Sequence, residues 1–268
     1  MRLKSPGQID NAIETLRRLK LECGNPFNRV DQQYRQQAAV LDWYEMAEGQ
    51  LRNHFSSSDL IDQLRASQHR VSELSNVSAG VFNRVLNQER KDWEHRFQVA
   101  YEELERLKVF VDRPGHPVVP DTSAFMEGEF FTEYDWQSLA LPLKGQTVRV
   151  IVPILVIEEL DSLKRSNNRS QKQQARKVLK ALWQLHGNEP TSPAALPQSA
   201  DVTIEVLLDN GWHRRQPNND AEIIDQAIQV NVLLGKPTLL ASCDYVQMYR
   251  SAAEGLSPVQ VPRADAED

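Results

Sequence analysis

Three apolar runs in this chain each end in carboxylates, and that pattern restricts the folds open to it more than any other feature. The runs are Val118-Val119-Pro120-Asp121-Thr122-Ser123, Val150-Ile151-Val152-Pro153-Ile154-Leu155-Val156-Ile157-Glu158-Glu159-Leu160-Asp161 and Thr238-Leu239-Leu240-Ala241-Ser242-Cys243-Asp244. Short continuous apolar runs mark parallel strands buried on both faces, and ligands gather outside the carboxyl ends of such strands. The expectation is an α/β sheet whose strand ends carry acids to one pocket. A fourth acid, Asp220, opens the helical stretch Asp220-Ala221-Glu222-Ile223-Ile224, where Glu222 and Asp225 add negative charge. Alternation along a strand would turn only one of Glu158 and Glu159 inward.

Clustered carboxylates repel one another and call for a cation. Oxygen donors without nitrogen or sulfur suit Mg2+ or Mn2+ rather than zinc. A metal held this way generates hydroxide from water and neutralises a phosphodiester, so the chemistry expected is phosphodiester hydrolysis without a protein nucleophile. Each acid also has a plainer reading, because Asp is favoured at helix N-caps and negative charge is favoured at helix starts. Asp121, Asp161 and Asp220 are all open to that reading.

The charge distribution bears on the partner. Residues 1–110 carry 16 Lys or Arg against 16 Asp or Glu, whereas residues 111–268 carry 15 against 21, so the whole net charge of −6 lies in the second part. Within that acidic part, Lys164, Arg165, Arg169, Lys172, Arg176, Lys177 and Lys180 follow one another with no acid between Asp161 and Glu189. The spacing predicts a helix over 170–185 with Ala175, Val178, Leu179 and Leu182 as its apolar stripe. Cations just beyond Glu159 are placed to grip a phosphate backbone leading to the acids, the alternative being a solvated helix face. His213-Arg214-Arg215, shortly before Asp220, is a second basic group for the same strand of substrate.

The first 111 residues read as a mostly helical region, without a convincing period-2 strand. Ile9, Ile13, Leu16 and Leu19 recur at helical spacing, as do Val81, Val85 and Leu86. Three to five helices are expected, with an N-cap in Ser56-Ser57-Ser58-Asp59 and an interruption around 76–80. Segment 89–108 interleaves charge with Trp93, Phe97, Val99, Leu104 and Leu107, which suits packing on a helix of this chain, of another copy or of a partner protein. The turn-rich Asp112-Arg113-Pro114-Gly115-His116-Pro117 divides residues 1–111 from a second domain, 112–268. The proline-rich stretch 187–200 reads as a flexible loop and 202–207 as a further strand. Two distant cysteines, Cys23 and Cys243, fit no metal or redox spacing. No run is long enough to span a bilayer, and Met1-Arg2-Leu3-Lys4-Ser5-Pro6 lacks the apolar core of a signal peptide, so a cytoplasmic location is expected.

From Val118 to Gly255 the chain resembles the PIN domain, a metal-dependent nuclease fold. The resemblance is carried by a strand ending Asp-Thr-Ser, a strand ending Glu-Leu before a polar helix, an Asn-Asp opening a helix and a strand ending Ser-Cys-Asp. It implies a three-layer α/β/α domain with a central parallel sheet, and a Mg2+- or Mn2+-dependent ribonuclease acting on single-stranded RNA. The family's acidic positions fall on Asp121, Glu159, Asp220 and Asp244, as catalytic residues and metal ligands, and the Glu-Leu match favours Glu159 over Glu158. Thr122, Ser123, Asp161 and Ser242 are the expected supporting residues around them. Lys164, Arg165, Arg169, Lys172, Arg176, Arg214 and Arg215 are the expected nucleic-acid contacts. RNA over DNA rests on the resemblance alone.

Other classes fit less well. A haloacid-dehalogenase-type phosphatase wants a second Asp where Ser123 stands, and a receiver domain wants a lysine after a late strand. The remaining alternative is a non-catalytic RNA- or protein-binding module on the same fold, contacted through the N-terminal helices.

Overall fold

A computed structural model describes residues 2–4, 8–28, 32–57, 59–140, 143–209 and 213–264. The chain divides into two compact units, Met1–Arg113 and Pro114–Asp268.

The first unit is helical, with helices α1 (Ile9–Glu22), α2 (Gly24–Phe27), α3 (Gln33–His54), α4 (Asp59–Ser72) and α5 (Ala79–Val111). A 3-10 turn, Glu73–Asn76, makes the interruption expected between α4 and α5. The apolar stripe of α1, with Ile9, Ala12, Ile13, Leu16 and Leu19 buried, follows the helical period. Along α5 the buried residues include Phe82, Leu86, Trp93, Phe97, Ala100 and Leu104. α5 lies along α1, and Lys108 of α5 pairs with Asp10 of α1 at 3.0 Å. The apolar side of segment 89–108 is thus covered by this chain's own helices, while Val99 stays exposed. Trp43, Tyr44, Trp93, Phe97 and Phe27 meet edge-on or tilted with ring centroids 5.3–6.1 Å apart, a geometry that aromatic quadrupoles favour. Trp93 Nε1 donates to Ser67 Oγ, so burial leaves its polar edge satisfied. A two-stranded antiparallel ribbon, β1 (Arg2–Leu3) with β2 (Phe55–Ser57), was not anticipated, because strands this short have no period to read. Ser58 of the expected capping cluster lies outside the described residues.

The second unit is a six-stranded sheet in the order β5-β6-β4-β3-β7-β8. Its strands are β3 (His116–Pro120), β4 (Val148–Pro153), β5 (Ala194–Leu196), β6 (Ser199–Leu207), β7 (Leu239–Ser242) and β8 (Ser257–Gln260). All neighbours are parallel except β5 with β6. Helices α6 (Thr122–Met126), α7 (Ile154–Leu163), α8 (Arg169–His186), α9 (Asn219–Leu234) and α10 (Tyr245–Ala253) flank the sheet, giving the α/β/α architecture expected. The central strands are apolar because both faces are covered: Val118, Val119, Val148, Val150, Ile151, Val152, Leu240 and Ala241 are fully buried. One ion pair interrupts that core. Arg149 Nε donates to Glu205 Oε1 at 2.6 Å, each side chain 1% exposed.

The tight entry into β3 depends on Gly115, whose φ of 120° L side chains rarely adopt. A Cβ there would meet Arg149 Cγ at 3.2 Å and the Thr147 carbonyl at 3.3 Å.

Two expectations need correcting. The long run from Val150 to Asp161 is not one strand: β4 stops at Pro153 and Ile154 begins α7. Apolar periodicity alone does not separate a buried strand from a buried helix, and Pro153, with ψ of 140°, supplies the break. Stretch 187–200 is also more ordered than a loop, since β5 forms an edge strand there, bordered by Pro193 and Pro197 where no central pairing requires their missing N–H groups.

Candidate active site

Strand β3 holds the middle of the sheet. The chain leaves it toward β4 on one side and returns to β7 on the other, which makes its carboxyl end the point where strand order reverses and where ligands bind in such sheets. Asp121 follows β3 directly and its N–H still bonds to the Ala241 carbonyl of β7 at 3.0 Å. Asp244 stands two residues beyond β7.

Asp121 is 5% exposed. Its carboxylate accepts from the Ala124 N–H at 3.0 Å, from Ser123 Oγ at 2.7 Å and from Ser242 Oγ. The first of these bonds caps α6, so the capping reading holds, and the other oxygen, Oδ2, is the one that accepts from Ser242. Burial raises the carboxyl above its ordinary value of 3.8, and the charge of Asp244 raises it further. The two serine hydroxyls and the Ala124 N–H act in the opposite direction. No Lys, Arg or His among the described residues pairs with Asp121, Glu159 or Asp244.

The two serines form a small polar block. Ser123 Oγ and Ser242 Oγ lie 3.2 Å apart, and they accept the N–H groups of Cys243 and Asp244 respectively, each at 2.8 Å. Asp244 caps α10 by accepting from the Val246 N–H at 2.8 Å, and it is exposed.

Glu159 arrives from α7 rather than from a strand end. On a helix, Glu158 and Glu159 diverge by about 100°, and the structure gives them separate tasks. Thr122 Oγ1 donates to Glu159 Oε2 and Asn219 Nδ2 donates to Glu159 Oε1 at 2.7 Å, which ties Glu159 to the residue after Asp121 and to the start of α9. Glu158 instead takes both terminal nitrogens of Arg215, at 2.6 and 2.9 Å, while Arg215 Nε bonds Asp209 at 2.7 Å. Thr122, Glu158, Glu159, Arg165, Arg215 and Asn219 line a cleft of 740 Å³.

Asp220 is not the cap of α9, because Asn218 holds that position by accepting from the Ala221 N–H at 3.1 Å. Its carboxylate is exposed and pairs with Arg250 of α10 at 3.1 Å. Glu222 turns away into a buried pair with His213 at 2.5 Å, supported by Gln226 Nε2 and the Gln216 N–H. Asp209, His213 and Glu222 are the set of potential ligand groups, among the described residues, whose ligand atoms lie within 4.8 Å of one another. No three of Asp121, Glu159, Asp220 and Asp244 are that close.

The expected supporting residues divide. Thr122, Ser123 and Ser242 touch the acids, whereas Asp161 pairs with Lys164 and Arg165 on its own helix end. The cations divide too: Arg169, Lys172 and Arg176 make no ion pair among the described residues, Arg214 is exposed, and Arg215 is taken up by Glu158 and Asp209. Sequence reasoning missed Arg250 beside Asp220 and the bond from Asn219 to Glu159. The Asn-Asp pair opening α9 was the available signal for the second.

A family model described as the PIN domain matches residues 118–261, more than half of the chain, and the chain belongs to the PIN domain family. The fold is therefore nuclease-like. No curated protein is significantly similar to the chain. Among solved structures, a domain of a functionally unknown protein from Methanocaldococcus jannaschii is similar at 17% identity, over 57% of this chain and 96% of that one, with a TM-score of 0.34.

Proposed function

We propose that the chain is a Mg2+- or Mn2+-dependent ribonuclease that hydrolyses phosphodiester bonds of single-stranded RNA. The observation that carries the reading is Asp121, a buried carboxylate at the strand-order reversal with three donors, the neighbouring charge of Asp244 and, among the described residues, no cationic side chain to balance it. Burying an unbalanced carboxylate is costly, and a hard divalent ion is the partner that oxygen donors of this kind suit. Mg2+ in particular keeps several waters and needs only one or two direct carboxylates, so acids that do not converge directly still fit it.

Asp121 is the residue that would hold the ion, assisted by Glu159, Asp244 and Asp220, the last of which also pairs with Arg250. When bound, the ion lowers the pKa of water and offsets charge on the phosphate. The chain's own groups orient and attract. Thr122 and Asn219 fix both oxygens of Glu159, Ser123 and Ser242 fix Asp121, and the cations of α8 draw the phosphate backbone toward the cleft.

The test is cleavage of end-labelled single-stranded RNA and its DNA counterpart by wild type and Asp121→Asn, with Mn2+, with Mg2+ and with chelator. Metal-dependent cutting by wild type, lost in the variant, is expected. Cutting that survives in Asp121→Asn overturns the assignment, and folded wild type that cuts nothing turns it toward a binding module.

A further inference from the structure

Helix α8 carries a basic row that its own stability does not call for. Arg169, Lys172, Arg176 and Lys180 are followed by Trp183 at successive spacings of 3, 4, 4 and 3 residues, which places all five on one face. The buried side of α8, Ala175, Val178 and Leu182, is elsewhere on the wheel. None of the four cations makes an ion pair among the described residues. Their placement also runs against the helix dipole: the first turn favours acids, yet it holds Arg169 and Lys172 and no acid.

Trp183 is 65% exposed at the far end of this row. The other tryptophans among the described residues, Trp43, Trp93 and Trp136, are 6% exposed or less. An isolated surface tryptophan would need no explanation. One that ends a row of unpaired cations matches the two requirements of single-strand binding, a charged track for the backbone and a ring on which a base stacks.

We infer that this face of α8 is a track for single-stranded nucleic acid, with phosphates on Arg169, Lys172, Arg176 and Lys180 and a base stacked on Trp183. The inference deepens the nuclease reading and rests on it. From Arg169 to Trp183 the helix rises about 21 Å at 1.5 Å per residue, enough for several nucleotides. α8 packs against α7, which carries Glu159, and against α6, which Asp121 caps, so the row lies on a helix next to the acids. Substrates too short to reach Trp183 therefore bind more weakly than longer ones. A duplex, whose bases are already stacked, gains nothing from the ring.

The experiment uses the full chain, a 12-nucleotide oligouridylate and its deoxy counterpart, with chelator present so that binding is read without cutting. Quenching of tryptophan emission on titration, absent in Trp183→Leu, reports the stack. The Kd of Trp183→Leu is expected to rise about tenfold. The slope of log K against log salt in Arg176→Gln/Lys180→Gln is expected to be shallower by about 1.4, from about 0.7 per phosphate contact on a single strand. Binding by both variants with wild-type affinity and slope overturns the track. So does equal binding of polyglutamate with the same dependence on Trp183, which would make the face one for acidic protein segments. The two readings fail separately. Cutting with unchanged binding in the variants removes the track alone, and Trp183-dependent binding without metal-dependent cutting removes the nuclease alone.

Discussion

The role given to Asp121 is best tested by asking what stabilises the second unit when Mn2+ is added. A ligand that binds only the folded chain stabilises it by RT ln(1 + [L]/Kd), about 2.7 kcal/mol at a hundredfold excess over Kd. For a unit of this size, 1 kcal/mol moves Tm by about 2–4 °C, so wild type should gain about 5–10 °C in calorimetry when chelator is replaced by Mn2+. Two substitutions separate holding the ion from holding the turn. Asp121→Asn keeps a capping oxygen for the Ala124 N–H and Ser123, and presents an amide to Ser242 Oγ, which already has acceptor duty toward the Asp244 N–H. Asn caps about as well as Asp, so this variant should fold normally and gain nothing from Mn2+. Asp121→Ala removes the cap and deprives both serine hydroxyls of an acceptor, costing about 2–4 kcal/mol with or without metal. An Asp121→Asn protein whose Tm rises with Mn2+ as much as that of wild type would refute the reasoning, because the ion would then be held by other groups.

The same residue makes metal-free stability depend on pH. Because burial raises the folded Asp121 carboxyl above 3.8, its favourable contribution is present below 3.8 and is lost as pH rises through the folded value. In chelator, wild type should therefore lose stability relative to Asp121→Asn as pH rises from 3.8 through the raised folded value; a difference that stays constant as pH rises above 3.8 contradicts the raised carboxyl. In the sheet core, Arg149→Met alone should cost about 3–5 kcal/mol by leaving Glu205 buried without the guanidinium it bonds, while adding Glu205→Leu should recover most of it. Urea unfolding of the single and double variants decides this, and additive losses would show that the pair is not the source of the cost.

Much of this protein was written locally. The apolar residues Val118-Val119, Val150-Ile151-Val152 and Leu239-Leu240-Ala241 read as strands covered on both faces, and each lies in one, although the second run, read as a single strand to Asp161, turns into helix after Pro153. The helical period of α1 and α8, the turn at Gly115 and the acids after β3 and β7 are likewise short-range patterns, visible because neighbouring residues alone set them. What the tertiary structure decided are the long-range matters. Pattern could not say that Ile154-Leu155-Val156-Ile157 continues as helix rather than strand, since both bury the same apolar side chains. Nor could it say that Asn218 rather than Asp220 caps α9, that Arg250 meets Asp220 thirty residues away, or that Arg215 spends its charge on Glu158 and Asp209. A charged residue's partner is set by which strands and helices the sheet order brings side by side. The sequence alone therefore marked which acids could form a site, and packing settled which of them stand unbalanced at the end of the central strand.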